Sequence, residues 1–286
     1  MTDSAIAWQS RRFTTATSFL DRAKPWLLRN EAEHNLILGV AGQLESGSHP
    51  YEEPILLATV EGPDGVAACA FRTPPIKLGL TRVPEEAVAL LVDEASILYS
   101  SLPAVMGPTS AARAFAEGWS ATHGVGFEAG RRMRIFQLDR VVPPANPAPG
   151  RMRQASSDEL ELAVEWARAF KRDTGVWDRD PGPLARRLIS EGRLFFWEDR
   201  DSEPLSMAAG MAETPNGIRV GYVYTPSEER LRGYASACVA ALSQHYLDHG
   251  RRFCFLYTDL ANPTSNAIYQ RMGYQPVCDV EDYNFL

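Results

Sequence analysis

The chain has 286 residues, 45% of them hydrophobic and 10% aromatic, with a formal net charge of -7. That length exceeds one typical domain of roughly 100–200 residues, so two domains are expected, and the acidic balance argues against a general nucleic-acid binder, which needs a basic surface. The start "MTDSAIAWQSRRF" lacks the basic-then-apolar order of a secretory leader and no apolar run approaches a membrane span, so a cytoplasmic protein without membrane or nucleic-acid partners is expected.

Residues 17–47 place Phe19, Leu20, Trp26, Leu27, Leu36, Ile37, Val40 and Leu44 at helical intervals. "PILLATVEGPDGVAACAFRT" reads as a hairpin turning at Pro63-Asp64-Gly65. A helix is expected over "EEAVALLVDEASILYS", then a strand, loop and helix over "PAVMGPTSAARAFAEGWSATHG", and a closing strand over "MRIFQLDRV". Prolines crowd "VVPPANPAPG", residues 141–150, and resist both helix and central strand, which marks a linker. The expected division is an α/β domain over 1–140, this linker, and a second domain over 151–286.

After the linker, "RMRQAS" reads as a strand and "SDELELAVEWARAFKRDTG" as a helix with a polar cap and a glycine stop. "ARRLISEG" is a short helix. "RLFFWED", "LSMAAGMAET" and "IRVGYVYT" are strands, the last two joined by a turn at Pro215-Asn216-Gly217. Residues 234–249 carry an apolar helical stripe ended by Gly250, and "RFCFLYTD" is a strand. "NPTSNAIYQRMG" is a compact helix with Asn262 as cap and Pro263 in its first turn, and "QPVCDVEDYNFL" reads as a closing hairpin or pair of strands. The order β-α-α-β-β-β-α-β-α-β makes the fold class α/β, a mixed central sheet covered by helices.

The chemistry concentrates in "TPSEERLRGYAS", residues 225–236. A strand leads into Arg230 and Arg232, a bare Gly233, and at once a helix. A helix start exposes unpaired N–H groups and the positive end of a dipole, which favours an anion such as phosphate. Neither the Lys-Ser/Thr of a P-loop nor the three glycines of a dinucleotide fingerprint is present. The four cysteines, Cys69, Cys238, Cys254 and Cys278, lack paired spacing and read as reduced core thiols. The five histidines show no metal-ligand spacing, so no metal is expected.

With its strand before and helix after, "VYTPSEERLRGYA" followed by "NPTSNAIYQRMGY" resembles the GNAT superfamily of N-acetyltransferases over about residues 151–286. Arg230, Gly233 and Ala235 stand where that family carries its Arg/Gln-x-x-Gly-x-Gly/Ala turn. The resemblance implies acetyl-CoA as cofactor, its pyrophosphate on the amides of Leu231, Arg232, Gly233, Tyr234 and Ala235. It implies a strand splayed from its neighbour, pairing with the pantetheine arm through Val223 and Thr225. It also implies Asn266 as a contact to that arm and Tyr269 as general acid to the departing thiolate. Asn266 and Tyr269 lie three residues apart and so share a helix face. Tyr269 alternatively reads as a core tyrosine, and Asn266 as a surface residue.

Many members carry a glutamate on the splayed strand as base, whereas "IRVGYVYT" has no carboxylate. Glu213 and Asp259 are the candidate bases, and each reads equally as a solvated turn residue; an amine arriving neutral needs neither. The amino-terminal half lacks the Arg-x-x-Gly turn and is expected to be a degenerate GNAT-like copy lining the acceptor pocket, or else an unrelated α/β cap. The reading is an acetyltransferase acting on a small-molecule or peptide amine by direct attack. The alternatives are a non-catalytic acyl-CoA sensor and a transferase using another acyl donor, such as aminoacyl-tRNA. An acyl-cysteine route through Cys238 or Cys254 is disfavoured by their core positions. The loop "DTGVWDRDPGP" offers Trp177 to an amine site or to a surface turn.

Overall fold

The computed structural model describes residues 7–47, 51–175, 180–200 and 202–286. Trp177 lies outside the described residues. The chain divides into two compact units, one holding the residues up to Ile135 with Asp259–Ala261 and Val277–Leu286, the other Phe136–Thr258 and Asn262–Pro276.

The first half runs β1 (Gln9–Arg12), α1 (Ala16–Leu27), α2 (Asn35–Glu45), β2 (Leu56–Gly62), β3 (Gly65–Arg72), β4 (Leu78–Leu80), α3 (Val88–Leu98), β5 (Ala104–Pro108), α4 (Thr109–His123) and β6 (Phe127–Leu138). The second half repeats that order: β7 (Arg151–Gln154), α5 (Leu160–Thr174), α6 (Gly182–Ser190), β8 (Leu194–Glu198), β9 (Pro204–Glu213), β10 (Gly217–Tyr224), α7 (Tyr234–Asp248), β11 (Phe253–Asp259), α8 (Pro263–Arg271) and β12 (Gln275–Phe285). In the first unit the strands lie in the order β1-β2-β3-β4-β5-β12, and in the second β11-β10-β9-β8-β7. No helix among the described residues is long and apolar enough to cross a membrane.

Successive strand residues point to opposite faces, so each sheet supports two cores. In the first unit Leu56, Ala58 and Val60 pack toward Leu91, Phe115 and Trp119, while Leu57 packs toward Phe19 and Ile37. In the second, Ile218 and Val220 of β10 meet Cys238 and Leu242 of α7. The opposite face packs Phe196, Met207 and Ala209 against Trp166 and Leu188 of α5 and α6. Local signals set the ends of these elements. Ser156 and Glu159 form a reciprocal capping box ahead of α5, which stops at the left-handed Gly175.

The division differs from the sequence expectation in two places. Residues 141–150 are packed on the second unit: the Trp197 indole donates to the Pro149 carbonyl at 3.0 Å, and the Val142 amide donates to Met272 at 2.8 Å. Residues 277–286, expected with the second domain, belong to the first unit, where β12 runs antiparallel to β5 with Val280 opposite Pro108. The expected closing hairpin is instead one continuous strand of 11 residues, because nothing between Val277 and Asn284 supplies a turn.

Candidate functional site

The candidate site lies in the second unit, where β10 meets α7. β10 lies parallel to β11 only from Gly217 to Arg219, opposite Phe253 to Phe255. Beyond Arg219 the two strands part. On its other side β10 stays paired to β9, but the register shifts between Gly221 and Tyr224 and places Tyr222 at φ 51°. Such a bulge bends a strand and ends its pairing on one edge. Val223, half-buried on the departing segment, borders the same apolar cluster as Tyr234, Ile268, Tyr269 and Ala148. Splayed strand, helix start and tyrosine therefore surround one core.

The turn beyond β10 is strained. Leu231 takes φ 65° with its side chain fully exposed, and Gly233 takes φ 85° as the residue before α7. A left-handed non-glycine residue costs about 1–2 kcal/mol, and exposed Leu231 gains no packing to offset it. Gly233 offers no side-chain cap, so the amides of Tyr234, Ala235 and Ser236 have no partner from the helix or from a cap. Alternating handedness in a turn aims successive N–H groups into one concavity suited to an anion. A Cβ on Gly233 would sit 3.7 Å from that of Ala148, so the backbone angle and not crowding demands the glycine.

The two arginines are engaged elsewhere. Arg230 Nε donates to the Thr225 carbonyl at 3.0 Å and its guanidinium pairs with Asp173 at the end of α5. It fastens the turn instead of standing free at the rim. Arg232 pairs with Glu229 at 2.9 Å on the surface, an exposed ion pair that holds weakly. Thr225 is buried and its hydroxyl meets Ser206 Oγ at 2.9 Å, which pins the end of the strand.

On α8 the cap expected at Asn262 is present, with its side chain accepting from the Ser265 amide at 3.0 Å. Asn266 accepts from the Thr258 hydroxyl at 2.8 Å and donates to the Asn262 carbonyl at 2.7 Å. Its carboxamide thus ties α8 to β11. Tyr269, three residues on, packs edge-on against Tyr274 at 5.8 Å, and its hydroxyl has no hydrogen-bond partner among the described residues. Burial pushes its phenol up to about 12.

Both candidate bases are engaged by neighbouring groups. Glu213 ends β9, opposite Ile218 at the start of β10, and is held by Arg193 and Arg251. Asp259 clusters with the first unit, and its carboxylate accepts from the Ala261 amide at 2.8 Å. Cys238 and Cys254 are buried free thiols pushed up to about 12 by desolvation, which is incompatible with a nucleophilic thiolate.

The corresponding junction of the first unit, between β4 and α3, lacks these features. β4 is still paired with β5 at Gly79, and a Cβ on Gly107 would stand 3.0 Å from Leu80, so the strands stay together where β10 and β11 part. The helix is entered through Glu85 and Glu86, with no glycine.

Residues 200–283 match a family described as FR47-like protein. No curated protein matches the sequence. Among solved structures, a GCN5-related N-acetyltransferase from Sphaerobacter thermophilus aligns over 96% of this chain and 94% of its own at TM-score 0.61 and 16% identity. A GNAT-family acetyltransferase from Colwellia psychrerythraea aligns over 97% and 100% at TM-score 0.59 and 14% identity. A tandem GNAT protein from the clavulanic acid biosynthesis pathway aligns over 98% of both chains at TM-score 0.56 and 11% identity. The chain therefore shares its fold, along its whole length, with GNAT acetyltransferases.

Proposed function

We propose that the second unit is an acetyltransferase domain that binds acetyl-CoA and passes its acetyl group to an amine. The observation that carries this reading is the parting of β10 from β11 beyond Arg219, continuous with a left-handed turn and an uncapped helix start. An anionic head with a long polar arm fits that arrangement, and the similar solved structures named as acetyltransferases support it.

The amides of the turn from Leu231 to Gly233 and of Tyr234 to Ser236 hold the two phosphates, aided by the helix dipole. The free edge of β10 at Val223, with the Thr225 amide, aligns the arm by strand-like pairing. The Thr225 carbonyl is reserved for Arg230. Bound acetyl-CoA supplies an acetyl group activated as a thioester. Tyr269 presents a phenol that stays protonated across neutral pH. Complete surrender of its proton to a thiolate of pKa about 8.5 would run uphill by about 5 kcal/mol. The phenol therefore acts chiefly as a hydrogen-bond donor to the sulfur as charge develops there. Asn266 acts through α8 as a positioning residue. With Glu213 held by Arg193 and Arg251, the amine reacts in its neutral form and loses its proton to solvent.

Calorimetry with CoA and acetyl-CoA tests the site, and thiol release against a panel of amines tests turnover. One site per chain is expected, because the first unit lacks the splay and the glycine turn. Absence of heat with both ligands on folded protein removes the reading. Binding without turnover on any amine would leave a sensor module.

A further inference from the structure

Arg219 interrupts the apolar strand "IRVGYVYT" at a central position of the sheet, between β9 and β11. Charged side chains are scarce at such positions unless they are paired. Ile218 and Val220 face α7, so Arg219 projects to the opposite face, the one covered by α5 and α6. It is the last residue of β10 still opposite β11 and thus stands at the fork where the strands part. The phenols of Tyr222 and Tyr257 are the groups that act on its charge, and Tyr222 in turn stacks on Phe170 of α5 at 5.5 Å.

One nitrogen of its guanidinium is unsatisfied. Nε is buried without a hydrogen-bond partner, and no carboxylate among the described residues pairs with it. Desolvation disfavours its charged form, yet a guanidinium stays protonated at any working pH. A buried N–H left without a partner costs the desolvation of that group, and such exceptions call for an explanation. The residue as a whole is only half-buried, so a small ligand can reach it.

We infer that Arg219 is the recognition group for an acceptor amine that also carries a carboxylate, bound by the guanidinium at the fork of β10 and β11. A planar guanidinium matches a carboxylate through two parallel N–H···O bonds, a match that lysine cannot reproduce. The ligand's carboxylate supplies the acceptor that Nε lacks among the described residues. This inference rests on the acetyltransferase reading of the same unit, from which it takes the identity of the ligand as an acceptor.

The test uses the full chain, wild type and the variants Arg219→Gln and Arg219→Lys. The probes are glycine, β-alanine and 4-aminobutyrate, each against its own carboxamide. Thermal shifts are recorded with and without CoA, and thiol release is followed with acetyl-CoA. At least one carboxylate is expected to stabilise the wild type where its amide does not, and to be preferred by about thirtyfold in kcat/KM, mainly through KM. Arg219→Gln is expected to bring carboxylate and amide within about threefold of each other while the CoA shift is unchanged. Arg219→Lys should retain part of the preference, since charge survives and the fork is lost. If CoA shifts the wild type but no carboxylate outperforms its amide in either readout, the inference is overturned; a preference that survives in Arg219→Gln overturns it too. Should Arg219→Gln fail to fold, the matched pairs on wild type and Arg219→Lys decide alone. Failure of CoA to shift the wild type removes the acetyltransferase reading instead, and the shifts recorded without CoA then decide whether Arg219 still selects carboxylates.

Discussion

Replacing Ala235 by aspartate separates the two uses a helix start can serve. Ala235 is the second residue of α7, whose first amides have no cap. A carboxylate there interacts favourably with the helix dipole by about 0.3–1 kcal/mol, which for a chain of this size raises Tm by about 1–3 °C. For an anion held on the same amides the carboxylate is a like charge roughly 6 Å away. At an effective dielectric of about 20, each such pair repels by about 3 kcal/mol. The junction is open to solvent, so salt screening leaves about 2 kcal/mol, a weakening near thirtyfold. Stability and CoA affinity should therefore move in opposite directions. Calorimetry with CoA, paired with thermal melts of ligand-free protein, reads both. Ala235→Asn, similar in size but neutral, should hold affinity within about threefold, which separates charge from bulk. An aspartate variant that binds CoA as tightly as wild type would refute the placement of the phosphates, and an asparagine variant as weak as the aspartate would refute the electrostatic argument.

Three further outcomes follow from the same geometry. Gly233→Ala meets no clash but must hold φ 85°, so it should lower stability by about 1–2 kcal/mol in urea melts; an unchanged midpoint would mean the turn is not left-handed. Tyr269→Phe should slow thiol release by at least about tenfold while CoA affinity stays within about twofold, whereas equal loss of both would make the ring structural. Alkaline pH should destabilise the fold. Burial holds Tyr246 and Tyr269 at about 12 against 10.0, and Cys238 and Cys254 at about 12 against 9.0. Between those limits the unfolded chain binds fewer protons than the native one, so stability falls as pH rises from about 9 toward 12, by up to about 1.4 kcal/mol per pH unit for each group. A urea midpoint constant between pH 8 and pH 11 would contradict that burial.

The second unit was legible because its elements carry local punctuation. The Ser156–Glu159 box, the Thr214–Gly217 turn, the Asn262 cap and the stop at Gly175 each act within a few residues. β1 escaped notice because "QSRR" has no apolar alternation: its backbone pairs with β2 while its side chains stay largely exposed. β4 is only 3 residues long. That β12 belongs with β5 was hidden for a different reason, since strand pairing joins distant segments and leaves no mark within either one. The same division applies to the site. The turn at Gly233 announces itself through backbone chemistry, but the bonds of Arg230 to Asp173 and of Asn266 to Thr258 depend on which neighbours the fold delivers. Arg219 did leave a signal, a single charge inside an apolar strand, and only its missing partner gives that signal meaning.

The two halves share one order of elements but use the same helix end in opposite ways. In the first unit Glu85 and Glu86 lie in the single 3-10 turn that runs directly into α3, on the side of the helix's positive end. Closing β4 on β5 removes the open edge as well. In the second unit α7 is entered through Gly233 at φ 85° after the left-handed Leu231, and the edge of β10 beyond Arg219 is not paired to β11. That arrangement gives up strand pairing and a relaxed backbone at Leu231. Proteins keep such local deficits where a ligand makes them good. Two deficits at one junction, each absent from the corresponding junction of the same chain, are better explained by one ligand than by two independent accidents of packing.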